Sequence, residues 1–211
     1  LVKLKTRRLK KLLKCLVLEM IKLLRGLIIG RFQPFHKGHS SLVRDALKQC
    51  NEIIIAIGSS QFNYSFTNPF TAGERLQMIH DTLIELKMEL KNIYIVPISN
   101  LENNAIWLSN LISMVPKFNV LYSGNLFVNQ LISQNNSHSF KVVTPRLYRM
   151  NQYNGTKIRI KLTKDDTWMK CVSASTCRII SENNGVQRMK MLLEIEKGES
   201  GDKAKEYPNV K

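Results

Sequence analysis

The feature that most constrains the fold is a regular alternation of short apolar runs with segments of helical periodicity. The apolar runs are rich in isoleucine, as in Leu27–Ile29 and Ile53–Ile57, which indicates strands buried on both faces. Strands that alternate with helices are joined by right-handed crossovers into a parallel sheet. The sequence therefore predicts a doubly wound α/β fold with helices on both faces of the sheet.

The same periodicities give approximate bounds for each element. Strands are expected at Leu27–Gly30, Ile53–Ile57, Tyr94–Val96, Val120–Tyr122 and Lys141–Thr144. The helices between them are expected at His39–Gln49, from a Thr71–Glu74 capping box to about Leu90, at Ala105–Met114 and at Phe127–Ser133. From Thr156 onward the chain is expected to be a helical C-terminal part with a break at Gly185.

The length of 211 residues fits one domain with two appendages. A basic extension is expected over residues 1–21, the domain over residues 22–197, and a polar, frayed tail over residues 198–211. Because a doubly wound fold binds its ligands at the carboxyl ends of the strands, the loops that follow the strands should contain the functional residues.

The net charge of +16 is concentrated at the start of the chain. Residues 1–25 hold nine basic side chains against the single acid Glu19, a balance of +8. Leucines at three- and four-residue spacing predict a basic amphipathic helix there, which suits a membrane, a nucleic acid or a partner's groove. One alternative function is therefore a nucleic-acid- or membrane-binding module that deletion of residues 1–19 would abolish. The other interpretation is a dispensable end with Met20 as the natural start, and the domain itself is expected to bind neither polymer nor membrane.

Cysteine usage and hydropathy favour a reduced compartment. Cys15, Cys50, Cys171 and Cys177 form no C-x-x-C pair, and the four histidines add no zinc-ligand spacing. No apolar run approaches the roughly 18 residues that a membrane span needs. We expect a soluble, cytoplasmic protein without a structural zinc.

The loop after the first strand carries the strongest chemical signal. It runs from Gly30 to His39, and His36 and His39 flank Gly38 at the start of the next helix. Free amides and the helix macrodipole at such a junction favour an anion, and imidazoles beside a phosphate would gain positive charge. The loop matches neither the Walker pattern nor G-x-G-x-x-G, which disfavours an ordinary dinucleotide oxidoreductase.

Two further loops at strand or helix ends are candidates of lower specificity. Gly155-Thr156 can cap the late helix and offer amides and a hydroxyl to a phosphate, with Arg159 about one turn further on. Ser123-Gly124-Asn125 is a small polar turn after the fourth strand. Taken alone, the first is an ordinary helix cap and the second carries little information.

Taken in order, these motifs resemble the HxGH nucleotidylyltransferase superfamily, and most closely its archaeal-type nicotinamide mononucleotide (NMN) adenylyltransferases. The resemblance extends over roughly Leu24 to Leu193. The matching segments are Gly30–His39, Ile57–Gln61, Asn68–Arg75, Asn104–Trp107, Tyr122–Asn125, Gly155–Arg159 and Asn184–Val186. HxGH alone marks only the superfamily, whereas the ordered set is highly specific.

The resemblance implies a Rossmann-like fold and the transfer of AMP from ATP to NMN, which gives NAD and pyrophosphate. It implies Mg²⁺ held mainly by ATP phosphates and water, and a homo-oligomer, hexameric in the family. Catalytic roles are implied for His36, His39, Arg31 and Arg159. Further ATP contacts are implied for Gly30, Phe32, Gly38, Ser123, Gly124, Asn125, Gly155 and Thr156, and NMN contacts for Arg75, Asn104 and Trp107.

Trp107 can stack on the cationic nicotinamide ring, provided that Leu108, Leu111 and Ile112 cover the buried face of its helix. Asn154 replaces the usual serine of the family, and Ile160-Lys161 replace part of a basic run, so an altered affinity for triphosphate is expected. A pantetheine-phosphate or flavin adenylyltransferase would share the two phosphate motifs and stays open as an alternative.

Overall fold

The computed structural model describes residues 23–134, 139–146, 148–149 and 151–205, with side chains to residue 198. The basic extension and the interpretations that concern Met20 lie outside the described residues. Within the described residues, no helix is both long enough and apolar enough to cross a membrane.

Five parallel strands form the sheet and confirm the predicted fold class. They are β1 (Arg25–Gly30), β2 (Glu52–Ile57), β3 (Ile93–Pro97), β4 (Val120–Tyr122) and β5 (Lys141–Val143), arranged in the order β3-β2-β1-β4-β5. In the centre of the sheet, Ile28 of β1 pairs with Ile55 of β2 on one side and with Tyr122 of β4 on the other. The chain therefore leaves β1 in one direction for β2 and β3, and later crosses back for β4 and β5.

The first four helices alternate with the strands along the chain, and the last three follow the fifth strand. They are α1 (Lys37–Leu47), α2 (Ala72–Glu85), α3 (Trp107–Met114), α4 (Leu126–Ser133), α5 (Gly155–Lys164), α6 (Ala174–Glu182) and α7 (Gly185–Lys205). Short 3₁₀ turns lie at Leu90–Asn92, Asn104–Ile106 and Asp166–Cys171. Most bounds agree with those expected from the sequence to within a few residues.

Each face of the sheet is covered by its own core. Ile28 and Ile55 face one cluster, which includes Met78 of α2 and Ile158 of α5. The alternate strand residues face the second cluster with α3 and α4, for example Leu27 and Leu108. Because successive strand side chains point to opposite faces, the uninterrupted apolar run Ile53–Ile57 of β2 contributes to both cores.

Helix α2 begins as the sequence predicted and ends earlier. The Thr71 hydroxyl accepts from the Glu74 amide at 3.2 Å, and the Glu74 carboxylate accepts from the Thr71 amide at 2.7 Å. The helix ends at Glu85 instead of about Leu90, because Lys87 adopts a left-handed conformation with φ of 56°. A left-handed residue cannot continue a right-handed helix.

The C-terminal part is helical with a break, as expected. The break lies at Asn183-Asn184, with Asn184 at φ of 50°, and Gly185 begins α7. A side chain at Gly185 would meet Ile180 at 2.9 Å and Phe70 at 3.0 Å, which explains the glycine. The backbone of α7 stays helical to Lys205, past Gly198, where a frayed tail was expected.

Candidate active site

The three loops singled out in the sequence meet at the carboxyl edge of the sheet. A cavity of about 200 Å³ is lined by Arg31, Phe32, Gln33, His36, His39, Asn154, Gly155, Thr156 and Arg159. A second cavity of about 420 Å³ shares His36, His39, Asn154 and Gly155, and it adds Gly38, Gly124 and Asn125 among its lining residues. The structure therefore brings the β1 loop, the β4 loop and the start of α5 together, beside the gap where strand order reverses.

The two histidines cap helix α1 reciprocally. The Nδ1 of His36 accepts from the His39 amide, and the Nδ1 of His39 accepts from the His36 amide, both at 3.3 Å. Their rings stack with centroids 3.5 Å apart and an interplanar angle of 16°. A neutral imidazole whose Nδ1 accepts must carry its proton on Nε2. Each histidine therefore offers an Nε2–H donor, and both rings line the cavities.

Burial keeps both rings neutral at pH 7. It lowers the pKa of His36 to about 4, and a backbone hydrogen bond of His36 only partly opposes this shift. It also lowers the pKa of His39 well below 6.5, with a further contribution from His36. The expectation that the imidazoles gain positive charge beside a bound phosphate stays a prediction; without a ligand, two stacked rings this close would repel each other strongly if both were cationic. The histidines are neutral donors, and the positive charge of the site comes from guanidinium groups.

We expect the free energy of unfolding to decrease as the pH falls from 6.5 towards 4. The unfolded chain takes up a proton on His36 near pH 6.5, whereas the folded protein does so only at a pKa of about 4. Between these pH values the unfolded state binds more protons than the folded state, so acidification favours unfolding. The contribution of neutral His36 to the free energy of unfolding is therefore complete above pH 6.5 and is lost as the pH falls towards 4. Urea unfolding at about pH 7 and about pH 4.5 measures the difference. A His36→Asn variant with an undiminished difference would contradict the assignment.

Arg159 supplies a buried positive charge next to the histidines. Its side chain donates from Nη1 to the Gln33 carbonyl at 2.9 Å and from Nη2 to the Thr156 hydroxyl at 3.2 Å. Burial, with a smaller effect from the charge of Arg31, lowers the pKa of Arg159 to about 10, so the group is still protonated at pH 7. Arg31 itself is exposed at the mouth of the same cavity. The two guanidinium groups therefore form the cationic wall of the site.

The start of α5 is capped by Asn154. Its Oδ1 accepts from the amides of Thr156 at 3.0 Å and Lys157 at 3.2 Å. These two amides are therefore used within the helix, whereas the sequence suggested that amides there would be offered to a phosphate. Asparagine caps a helix as well as serine does, so this departure from the family pattern preserves the local structure. A side chain at Gly155 would lie 3.3 Å from the Gln33 carbonyl and 3.4 Å from Arg159 Nη1, which explains the glycine.

Phe32 lines the smaller cavity, whereas Gly30 lines neither cavity and leaves room for the Phe32 ring. Phe32 is buried with φ of 53° and packs edge-on against His39, with ring centroids 4.8 Å apart. A side chain at Gly30 would meet the Phe32 ring at 2.9 Å. In the β4 loop, Gly124 and Asn125 line the larger cavity, whereas Ser123 is buried and accepts from the Asn125 amide. Phe32 and Ser123 are thus placed to support the site.

Arg75 occupies a different environment from the one expected for a phosphate ligand. Its side chain is fully buried, and Nη1 donates at 2.9 Å to the carbonyls of both Arg31 and Gly58. Nη2 donates to the carbonyls of Ser59 and Ser60, and Nε to that of Thr71. A guanidinium has five N–H donors, and all five are used by backbone carbonyls. In the ligand-free protein Arg75 joins the loops after β1 and β2, and its contact with NMN stays a prediction.

Asn104 and Trp107 lie apart from the two cavities described above. Asn104 is exposed in the turn before α3, and Trp107 is half-buried against the second core cluster. Leu108 and Leu111 are buried as expected, whereas Ile112 is 47% exposed and does not cover the buried face. Trp107 therefore combines packing against the core with partial exposure beyond the end of β3.

Three residues contribute to the site and were not predicted from the sequence: Gln33, Tyr148 and Tyr153. The side-chain amide of Gln33 both donates to and accepts from the backbone of Phe70 at 2.9 Å, and this pair joins the β1 loop to the segment before α2. Tyr148 and Tyr153 stack with centroids 5.7 Å apart and line the larger cavity. Gln33 lies within the Gly30–His39 segment, but its partner Phe70 is brought to it only by tertiary structure.

Neither cavity contains an acidic group among its lining residues. Within the described part of the chain, no three His, Cys, Asp or Glu side chains form a cluster that could hold a metal ion. The site is therefore a polar and cationic surface suited to a polyanion.

Comparisons with known proteins agree with this geometry. The sequence profile of the cytidylyltransferase-like family matches residues 27–161. A nicotinamide-nucleotide adenylyltransferase of Archaeoglobus fulgidus is 41% identical over 170 residues, which cover 79% of this chain and 96% of the relative. The enzyme of the same name from Caldivirga maquilingensis is 41% identical over 172 residues, covering 81% and 95% of the two chains.

Solved structures share the fold at lower sequence identity. A bifunctional NMN adenylyltransferase/ADP ribose pyrophosphatase from Francisella tularensis, complexed with AMP and MN ion, superposes with a TM-score of 0.69 at 20% identity. The match covers 90% of this chain and 58% of that one, so this chain spans little more than half of the bifunctional protein. A Plasmodium falciparum nicotinic acid mononucleotide adenylyltransferase complexed with APC gives a TM-score of 0.52 at 13% identity, covering 77% and 96%.

Proposed function

Because this chain belongs to the cytidylyltransferase-like family and groups there with the archaeal nicotinamide-nucleotide adenylyltransferases, we propose that it transfers AMP from ATP to NMN. The products are NAD and pyrophosphate, so the enzyme serves NAD biosynthesis. The observation that carries the mechanism is the reciprocal cap of His36 and His39, which leaves the Nε2–H donors of two neutral rings that line a cavity together with Arg31 and Arg159.

The reaction needs no nucleophile from the protein. An oxygen of the NMN phosphate attacks the α-phosphorus of ATP in line, and a new P–O bond forms. The bond from the α-phosphorus to the bridging oxygen breaks, and pyrophosphate leaves with the electron pair. The attacking phosphate is already ionised at pH 7, so catalysis consists of positioning the reactants and stabilising the charge that develops.

We assign the two imidazoles to the α-phosphate, where the Nε2–H groups of His36 and His39 donate to its non-bridging oxygens. Neutral imidazoles fit this role because they donate the Nε2–H hydrogen bond without losing or gaining a proton during turnover. The guanidinium groups of Arg31 and Arg159 then bind the β- and γ-phosphates and the departing pyrophosphate. The adenosine fits the larger cavity, beside Gly124, Asn125 and the stacked tyrosines.

Magnesium enters as part of the substrate, as the complex with ATP. Mg²⁺ keeps several of its waters and is commonly held by substrate phosphates. The smaller cavity, to which the phosphates are assigned above, has no carboxylate among its lining residues. This lining fits an ion that is carried by the nucleotide. We also propose that the enzyme works in the cytoplasm and as a homo-oligomer, hexameric by resemblance. Light scattering of the purified protein tests the assembly.

Incubation of the purified protein with ATP, Mg²⁺ and NMN, followed by detection of NAD, tests the function directly. Parallel reactions with 4′-phosphopantetheine and with FMN test the other adenylyltransferases, which would use the same phosphate cavity. Product from one of those acceptors and none from NMN would contradict the proposal. Binding to RNA or anionic lipid by a protein that makes no NAD would favour the alternative based on the basic extension.

We expect Trp107→Ala to weaken NMN binding and leave ATP binding nearly intact. An indole stacked on the cationic nicotinamide contributes about 1–2 kcal/mol when the contact is desolvated, and Asn104 can satisfy both hydrogen-bonding groups of the carboxamide. Calorimetric titration of each ligand measures the loss. Trp107→Phe is the matched control, because it keeps an aromatic face and the packing on the core. An equal loss for both ligands in the alanine variant would reduce Trp107 to a packing residue.

A further inference from the structure

Gln61 makes a two-point contact with the segment after β3. Its Nε2 donates to the Asn100 carbonyl, and its Oε1 accepts from the Asn100 amide, both at 3.0 Å. This pairing uses both hydrogen-bonding groups of one backbone residue, as a neighbouring strand would. Both residues are exposed, so the contact contributes little to either core.

The side chain of Asn100 forms a second pair of hydrogen bonds, with Ser59. Its Nδ2 donates to the Ser59 hydroxyl at 2.9 Å, and its Oδ1 accepts from the Ser59 amide at 3.3 Å. The amide of Ser60 also donates to the Ile98 carbonyl at 3.0 Å. The loops after β2 and β3 are therefore joined beyond the point where the two strands end.

The buried side chain of Arg75 holds the loop after β2 in place. Arg75 donates to the carbonyls of Ser59 and Ser60 and also to the carbonyl of Arg31, on the phosphate-binding loop. A continuous set of hydrogen bonds thus runs from Arg31, which lines the smaller cavity, through Arg75 and Ser59 to Asn100. Only three residues separate Asn100 from Asn104, the proposed carboxamide ligand.

We propose that Gln61 is a positioning residue, which sets where Asn104 and Trp107 hold the acceptor nucleotide relative to the bound ATP. This inference rests on the proposed function and adds a residue that does not touch either substrate. The contact matters because it fixes the backbone of Asn100, at the start of the segment that leads to Asn104 and Trp107. In-line attack requires the reacting atoms to lie about 3–3.5 Å apart, so a shift of this segment would misplace the acceptor.

The test compares Gln61→Ala with Gln61→Glu and with the control Gln77→Ala, an exposed glutamine on α2. Loss of two neutral hydrogen bonds is expected to raise the KM for NMN about tenfold in Gln61→Ala, with the KM for ATP nearly unchanged. Glutamate can still accept from the Asn100 amide but cannot donate to its carbonyl, so Gln61→Glu should be intermediate. The control should match the original protein.

Hydrogen exchange of the ligand-free proteins gives a second readout that needs no turnover. Amides of residues 100–107 should exchange faster in Gln61→Ala, while those of α1 and the His36 loop stay protected. An unchanged KM for NMN, or equal increases in both KM values, would overturn the positioning role even if the original protein makes NAD. Failure of the original protein to make NAD would instead overturn the proposed function, and the acceptor role of Gln61 with it.

Discussion

Replacing His36 by alanine is expected to lower turnover by about 10²–10³, with a much smaller effect on the affinity for NMN. Removal of one donor that acts mainly on transition-state charge costs about this much in rate. His36→Ala also removes the cap of α1, because Nδ1 of His36 accepts from the His39 amide. His39→Ala should have a loss of the same order for the same two reasons.

Two further substitutions separate catalysis from capping. Asparagine at position 36 places an oxygen near the Nδ1 position, so His36→Asn should keep the cap and still lose the rate. Glutamine reaches the Nε2 position with an N–H donor, so His36→Gln should recover part of the rate. Steady-state kinetics and thermal unfolding of the three variants distinguish the two effects. Near-normal turnover in His36→Asn with only a raised KM would remove His36 from the catalytic assignment.

Arg159→Met is expected to lower kcat/KM for ATP by about 10²–10³, by analogy with the loss of a preorganised stabilising group. Methionine is similar in length to arginine and has no charge. The cavity therefore keeps its shape and loses one of its two guanidinium groups. Arg159→Lys should be intermediate, because lysine keeps the charge and loses the fork that reaches both Gln33 and Thr156.

The matched control is Arg178→Met, which also removes one arginine charge. Arg178 lies on α6 in exposed ion pairs with Asp81 and Glu182, and such pairs contribute little to stability. Kinetics with varied ATP, together with circular dichroism of each variant, make the comparison. If Arg159→Met and Arg178→Met lose equal activity, the effect is one of net charge and Arg159 has no specific role.

The sequence was sufficient to predict those elements that depend on contacts between neighbouring residues. The capping box of Thr71 and Glu74 and the buried run of β2 are determined by neighbouring residues, and both were predicted correctly. The early end of α2 was not, because no glycine or asparagine marks the left-handed Lys87. The three loops of the site followed from the topology, since parallel strands bring their carboxyl ends to one edge.

The chemistry of individual side chains was harder to predict, because it depends on burial. The spacing of His36 and His39 does not show that their rings are stacked and desolvated, which lowers the pKa of both in the ligand-free protein. Arg75 belongs to a motif that suggests a ligand contact, yet its donors are taken by carbonyls from three separate segments of chain. Spacing alone does not give either result, because the burial of the histidine rings and most partners of Arg75 depend on tertiary structure.

The strand order has a consequence for how such enzymes diversify. Under the assignments above, the nucleotide donor is bound on the side of β1, β4 and α5, whereas the acceptor is bound by loops after β2 and β3. The chemical step takes place at the boundary between these two halves. Mutations that redesign the acceptor loops can therefore accumulate without disturbing the histidine cap, so a lineage can acquire a new acceptor while inheriting its ATP machinery intact. Because β1 and β4 flank the gap at which strand order reverses, the donor machinery spans that gap, and the acceptor loops lie together on one side of it, beyond β1.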